Sequence, residues 1–214
     1  LADQLEMDKA NKVSRKDQIL QALARMLEAA PGQRITTAAL AREVGVSEAA
    51  LYRHFPSKAR MFEGLIKFIE DTLFARITRI INDEERAEVR CYKILLLLLT
   101  FCDKNPGMTR LLTGDALAGE TERLRERIAQ FFSRLEAQLK QVLREAQIRE
   151  NLKTTVSPTA LANLLLASIE GRLVQFVRSE FKVSPLINWD LQWNFLSKNL
   201  LEPYVAPAEN RTTV

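Results

Sequence analysis

Apolar residues recur every three or four positions along most of the chain, which is the period of an α-helix packed on one side. The clearest run lies between residues 120 and 150, where arginine and glutamate fill many of the intervening positions. Its apolar positions are Leu124, Ile128, Phe131, Leu135, Leu139 and Val142. This pattern predicts a long amphipathic helix with its charged face in water.

Start and stop signals divide the chain into nine predicted helices. Serines at 14, 47, 57 and 157 stand where helix caps are favoured, and Ser14 forms a capping-box-like pair with Asp17. Breaks are indicated at Pro31-Gly32, Gly45, Phe55-Pro56 and residues 105–107. The predicted helices lie at about 14–30, 36–44, 47–55, 57–82, 84–104, 107–118, 120–150, 157–181 and 188–201.

Composition supports this all-α prediction. The 214 residues include only seven glycines and seven prolines, and a hydrophobic share of 47% is enough for a sizeable core. The longest apolar run, residues 94–99, is far shorter than the ~20 residues of a membrane span and predicts a buried helix. The sequence does not open with a secretory signal pattern, so we expect a cytoplasmic protein.

Catalytic, metal and cofactor sites are not expected. Cys91 and Cys102 lie eleven positions apart on one predicted helix, about 16 Å along its axis, which is too far for a disulfide. Both are interpreted as small buried apolar side chains. The chain has a single histidine and lacks a Ser/His/Asp pattern, a metal-ligand cluster and a glycine-rich phosphate loop. We therefore do not expect an enzyme.

Positive charge is concentrated in the first quarter of the chain. Residues 9–60 contain ten lysines and arginines and four acidic residues, and this excess exceeds the net charge of +4 of the whole protein. Such asymmetry indicates a polyanionic partner for this segment.

Residues 36–55 have the spacing of a helix-turn-helix, with two short helices around a three-residue turn. Ser47, Glu48 and Ala49 at the start of the second helix are predicted to reach base edges in the major groove of DNA. Predicted phosphate contacts are Thr36, Thr37, Tyr52, His54 and Lys58. Each also has a structural interpretation, because Tyr52 and His54 could pack on the surface and Thr36 could serve only as a helix cap.

The segment VSEAALYRHFPSK, residues 46–58, resembles the tetracycline-repressor (TetR) family. The resemblance implies nine helices, DNA contact through the first three, and a homodimer formed by the last two. The dimerisation residues expected on the last two helices are Leu161, Leu165, Gly171, Trp189, Trp193, Leu196 and Leu200. Gly171 would permit close approach of the helices, and the two tryptophans and last two leucines share one predicted helix face.

Three further segments, residues 105–114, 134–145 and 176–182, resemble the branch of gamma-proteobacterial nucleoid occlusion factors. This resemblance implies palindromic chromosomal sites, association with the nucleoid, and antagonism of the tubulin-like division protein FtsZ. The positions that match its FtsZ-tail groove are Phe68, Arg76, Leu97, Thr100, Lys104 and Asn105. From spacing alone, Phe68, Leu97 and Thr100 could equally be core residues, and Arg76 could be a solvated charge.

The predicted domain organisation follows from these assignments. Residues 1–13 are interpreted as a disordered basic arm, 14–60 as the DNA-binding head, 61–202 as the partner-binding and dimerisation body, and 203–214 as a disordered tail. The main alternative function is a ligand-responsive TetR-type repressor. Few polar groups are placed to converge inside predicted helices five to eight, which favours a body used for protein contact.

Overall fold

The computed structural model describes residues 14–29, 35–117 and 119–204. These residues form nine α-helices and two three-residue strands. The helices are α1 (Arg15–Ala29), α2 (Thr37–Val44), α3 (Glu48–His54), α4 (Lys58–Asp83), α5 (Ala87–Lys104), α6 (Pro106–Leu112), α7 (Glu122–Glu150), α8 (Pro158–Arg178) and α9 (Trp189–Ser197). The all-α prediction is confirmed. The predicted arm at 1–13 lies outside the described residues.

The predicted helix starts are confirmed by hydrogen bonds at the caps. Hydroxyl oxygens of Thr36, Ser47, Ser57 and Ser157 each accept from a backbone N–H three residues later, at 3.2 Å. The amide of Asp17 donates to the Ser14 hydroxyl at 3.1 Å, and that hydroxyl donates to the Asp17 carboxylate at 2.7 Å. Local sequence therefore sets these boundaries by satisfying the otherwise unpaired N–H groups of the first turn.

Two helix ends differ from the predicted ones by four residues or more. Helix α6 ends at Leu112, because Gly114 adopts a left-handed conformation (φ 78°) before a short 3-10 helix, Asp115–Leu117. Helix α9 ends at Ser197, and the strand β2 (Leu201–Pro203) pairs antiparallel with β1 (Leu152–Thr154). The predicted disordered tail is thus wrong for Pro203, which pairs with Leu152. Residues 205–214 lie outside the described chain.

The hydrophobic core runs without a break from the head into the body. The predicted apolar stripe of α7 is buried along its whole length, as are Ile94, Leu95, Leu98 and Leu99 in the apolar run of α5. Cys91 and Cys102 are buried free thiols, and burial raises the pKa of each to about 12. Their interpretation as small core residues is confirmed.

Helix α6 joins the head to the body. A Cβ atom placed on Gly107 would lie 2.0 Å from the carbonyl oxygen of Ala24 in α1, so only glycine allows this approach. The buried guanidinium of Arg110 donates to the carbonyl of Leu27 at 2.6 Å and to the Asp115 carboxylate at 2.6 Å. These contacts fix the orientation of α1 relative to the body.

Within the described part of the chain, one helix, α8, is long and apolar enough to cross a membrane by length and composition, with 44% of the relevant window buried. Its inner side packs on α7, and the Arg172 guanidinium caps the carbonyl of Pro185 at 2.8 Å. Glu170 and the exposed side chains of Asn163 and Gln175 interrupt its apolar character. These features are those of a helix packed in a protein body.

Candidate nucleic-acid interface

Helices α2 and α3 and the turn between them form a helix-turn-helix. Gly45 is left-handed (φ 74°), and the amide of Val46 donates to the carbonyl of Ala41 at 2.9 Å, which closes the turn. Leu40, Ala41, Leu51 and Phe55 are buried beneath the two helices. The apolar residues of the motif therefore face α1 and the body, and its polar residues face outward.

The leading end of α3 presents the residues predicted to read bases. Ser47, Glu48 and Ala49 are all exposed. The Thr37 hydroxyl donates to Oε2 of Glu48 at 2.8 Å, so the start of α2 holds the side chain that begins α3. Because this bond uses the threonine hydroxyl as donor, Thr37 acts here as a positioning residue for Glu48.

The predicted phosphate contacts occupy different environments. Thr36 and Tyr52 are exposed, and His54 is half-buried at the end of α3. Lys58 differs from expectation, since its ammonium lies 2.5 Å from Oε1 of Glu120 and only 21% of its side chain is exposed. The sequence offered no sign of this ion pair, because its partner lies 62 residues away.

Two further basic residues of the head were missed by sequence reasoning. Arg15 at the start of α1 and Arg53 in α3 line one cleft together with His54. Arg53 was visible as part of a basic segment, but only the packing of α1 against α3 brings it to the same cleft as Arg15.

The six positions matching a partner groove lie on α4, on α5 and at the α5–α6 junction. Phe68 is 47% exposed, which excludes its interpretation as a core residue. Leu97 and Thr100 are half-buried, and Asn105 donates from Nδ2 to the carbonyl of Phe101 at 2.7 Å. Arg76 and Lys104 are exposed and have no ion-pair partner within the described chain. The face thus combines an exposed aromatic ring with unneutralised cations.

The predicted dimerisation residues need correction. Leu161, Leu165, Trp189, Trp193 and Leu200 are buried inside a single chain, and Leu196 is half-buried. Trp193 packs against Tyr92 of α5, with ring centroids 5.5 Å apart. The five buried side chains are therefore core residues and cannot contact a second copy, whereas Leu196 remains a predicted dimerisation residue. Gly171 alone in the predicted set is exposed, with open space around it.

A stretch of exposed apolar surface lies on the other sides of the same two helices. We define the outer face as Leu164, Ala167, Gly171 and Val174 of α8 with Leu191 and Phe195 of α9. Leu191 and Phe195 are 70% and 72% exposed. The positions on α8 step by three or four residues, so they form one stripe along the helix.

Comparison with known proteins agrees with this architecture. Residues 19–65 match the family model of bacterial regulatory proteins of the tetR family, and residues 85–201 match the SlmA-like model described as tetracyclin repressor-like, C-terminal domain. The chain belongs to the SlmA-like group of the TetR family. The nucleoid occlusion factor SlmA of Shewanella pealeana is 59% identical over 191 residues, covering 89% of this chain and 97% of the relative. That of Marinomonas sp. is 60% identical over 190 residues, covering 89% and 96%.

Solved structures of other regulators share the fold. The fatty acid degradation regulator FadR of Bacillus halodurans has a TM-score of 0.75 at 13% identity, covering 87% of this chain and 96% of that one. A TetR transcription regulator of Haloarcula marismortui has a TM-score of 0.73 at 21% identity, covering 88% and 98%. At these identities the likeness establishes the architecture alone.

The body also contains a cleft of about 410 Å³ between the end of α6, α7 and α8. Its lining is mainly apolar and includes Leu112, Leu117, Phe132 and Leu173. Burial, and secondarily the charge of Glu136, raises the pKa of Glu170 at its edge. Among the described residues, no group of three or more histidine, cysteine or acidic side chains is placed to hold a metal ion.

Proposed function

We propose that this protein is a nucleoid occlusion factor. It binds chromosomal DNA sites as dimers and, when bound, antagonises FtsZ ring assembly, so that septum formation is blocked over the nucleoid. The observation that carries this proposal is an identity of 59–60% to proteins of that name over 96–97% of their length. The protein would act in the cytoplasm, in association with the nucleoid.

The head supports the DNA-binding part of the proposal. Exposed Ser47, Glu48 and Ala49 occupy the leading end of α3, where a recognition helix meets base edges. Thr36, Tyr52 and His54 are placed at its flanks, where phosphate contacts fix the register of a protein on DNA. Lys58 can reach a phosphate only by giving up Glu120.

The outer face supports the homodimer. Leu191 and Phe195 expose most of their apolar surface to water. Burying that surface against a second copy would stabilise the dimer by about 25 cal/mol per Å². Gly171 lies open in the middle of the stripe, so the backbone of a second α8 could approach closely. A twofold dimer also presents two recognition helices to one palindromic site, with half-sites about 34 Å apart.

The α4–α5 face supports the partner site. Phe68 offers an aromatic anchor, and aromatic residues account for much of the binding energy at protein interfaces. Arg76 and Lys104 are free within the described chain to pair with carboxylates of a peptide. We assign this face to the C-terminal tail of FtsZ, with Leu97, Thr100 and Asn105 forming its floor.

A peptide titration tests the partner assignment. A fluorescent peptide of the FtsZ C-terminal tail is titrated with native protein, with and without a duplex that the protein selects from random DNA. Phe68→Ala should weaken peptide binding at least tenfold. Truncation of an aromatic anchor that becomes buried in a complex costs about 2 kcal/mol or more of binding free energy. Ile148→Ala removes an even more exposed apolar side chain, on α7, and should leave binding unchanged. Absence of peptide binding in every condition would contradict the assignment.

A ligand-responsive repressor is the second candidate, and the cleft between α6, α7 and α8 is the observation that favours it. Its volume of about 410 Å³ lies in the usual range for small-molecule sites. This alternative predicts that a small apolar molecule releases the selected duplex. It also predicts that the FtsZ peptide does not bind.

A further inference from the structure

A cleft between α1 and α3 combines cationic walls with an apolar floor. It has a volume of about 380 Å³ and is lined by Arg15, Ile19, Val46, Ala50, Arg53 and His54. Ile19 is fully buried, whereas both arginines are exposed and His54 is half-buried. None of the lining residues is acidic. The cleft therefore has the polarity of a site for an anionic group attached to an apolar unit.

The two arginines of the cleft are not neutralised within the described chain. Two other arginines of the head have carboxylate partners: Arg25 pairs with Glu43 at 3.4 Å, and Arg60 pairs with Glu63 at 2.6 Å. Lys16 and Arg42 are also unpaired among the described residues, but neither lines the cleft. Arg15 and Arg53 have no ion pair or side-chain hydrogen bond among the described residues. Two guanidinium groups are thus available together in one place, and their planar donor forks match the oxygens of a phosphate.

The position of the cleft relates it to the recognition helix. Arg53 lies five residues after Glu48, about 7.5 Å further along the axis of α3. Thr37 contacts Glu48 at the leading end of α3. The cleft runs along α3 from Val46, and its Arg53 and His54 lie at the trailing end of the helix. Arg15 is the first residue of α1, where the positive end of the helix macrodipole adds to the same field.

We propose that Arg15, Arg53 and His54 form a clamp for one DNA backbone phosphate at the trailing end of α3. The guanidinium groups bind the phosphate oxygens, and the deoxyribose carbons lie against the apolar floor. With Thr36 and Thr37 at the leading end, this clamp would hold α3 between the two strands that border the major groove. The inference rests on the DNA-binding function proposed above and adds Arg15 and Arg53 to its contact residues.

The clamp contributes affinity without sequence preference. A phosphate contact releases condensed counterions, so each one adds about 0.9 to the slope of log affinity against log salt on duplex DNA. Loss of one charge-assisted contact should weaken binding about five- to tenfold. Both effects should be the same on the selected site and on a scrambled duplex.

Salt-dependent anisotropy titrations test the clamp. Dissociation constants are measured for the native protein, Arg15→Gln, Arg53→Gln and the control Arg25→Gln. The NaCl concentration runs from 50 to 300 mM, a range of about sixfold that is enough to define the slope. The control removes an equal charge from a neutralised arginine on the outer side of α1. Arg53→Gln and Arg15→Gln should weaken both duplexes and flatten the salt slope. Arg53→Lys should restore the slope but only part of the affinity, because it returns the charge without the planar donor fork.

The outcomes separate failure of the clamp from failure of the function. If the native protein binds and both cleft variants match Arg25→Gln in affinity and slope, the clamp is wrong and DNA binding stands. If the native protein binds neither duplex, the function itself is contradicted. A third outcome is that inorganic phosphate displaces the duplex more strongly than chloride does at equal ionic strength. If it does so while Arg53→Gln binds the duplex as tightly as the native protein, the cleft binds a free anion and the proposal is overturned.

Discussion

Single residues decide how the head is joined to the body. At Gly107 the packing of α6 on α1 leaves no room for a Cβ atom, and the atom it would meet is the backbone oxygen of Ala24. Backbone cannot swing aside as a flexible side chain can. The sequence indicated a helix break at residues 105–107, but not this close approach, because the partner residue lies more than eighty positions earlier.

Gly107→Ala should destabilise the protein by about 2–3 kcal/mol, the upper part of the usual range for overpacking. For a chain of this size that corresponds to a fall in Tm of roughly 4–12 °C. Thermal unfolding followed by circular dichroism measures the change. A fall in Tm of only one or two degrees would correspond to a destabilisation of ~1 kcal/mol or less. Such a result would show that α6 and α1 are not packed this closely.

Lys58 illustrates a second contact that local sequence does not reveal. Its pairing with Glu120 holds the start of α4 against the segment that leads into α7. The same ammonium is predicted to contact phosphate, and in that case Glu120 and DNA would compete for one cation.

Glu120→Gln should strengthen binding to any duplex and steepen its salt dependence by up to about 0.9 per phosphate gained. Anisotropy titrations at several salt concentrations measure both quantities. Glu122→Gln is the matched control, because that carboxylate pairs with Arg125 within its own helix. Equal changes in the two variants would attribute the effect to net charge alone.

At the scale of elements, periodicity and capping predicted the helices well. The nine predicted helices correspond in order to α1–α9, because apolar stripes and serine or threonine caps are local features. The strands β1 and β2 were missed, since three residues are too few to show a period and they pair across about fifty residues. The inner and outer sides of α8 were confused because both are apolar, with Leu161 and Leu165 inside and Leu164 and Val174 outside.

The corrected outer face predicts the behaviour of the dimer. Phe195→Asp should convert the protein from a dimer to a monomer of 24.4 kDa, because it places a carboxylate on the apolar outer face that the dimer is proposed to bury. Multi-angle light scattering during gel filtration measures the mass. Ile148→Asp, on an exposed residue of α7, should leave the mass unchanged. A dimer that survives Phe195→Asp would place the interface elsewhere.

At the scale of the whole molecule, one helix serves both proposed activities. Helix α4 begins at Lys58 beside the recognition helix and carries Phe68 and Arg76 further along. The proposed DNA contact and the α4–α5 face therefore share one helix of 26 residues. The DNA-binding head could be predicted from motif, spacing and charge, whereas the partner face could be assigned only through resemblance, since its residues look like ordinary surface and core positions in isolation.

The central claim is that the DNA-bound dimer acts on FtsZ. Its most direct test is light scattering of purified FtsZ assembling with GTP, in the presence of this protein and either its selected duplex or a scrambled duplex of equal length. The amount of FtsZ polymer should fall with the selected duplex, and Phe68→Ala should restore it while DNA binding is retained. Equal polymer with either duplex and without added protein would show that the DNA-bound protein does not act on FtsZ.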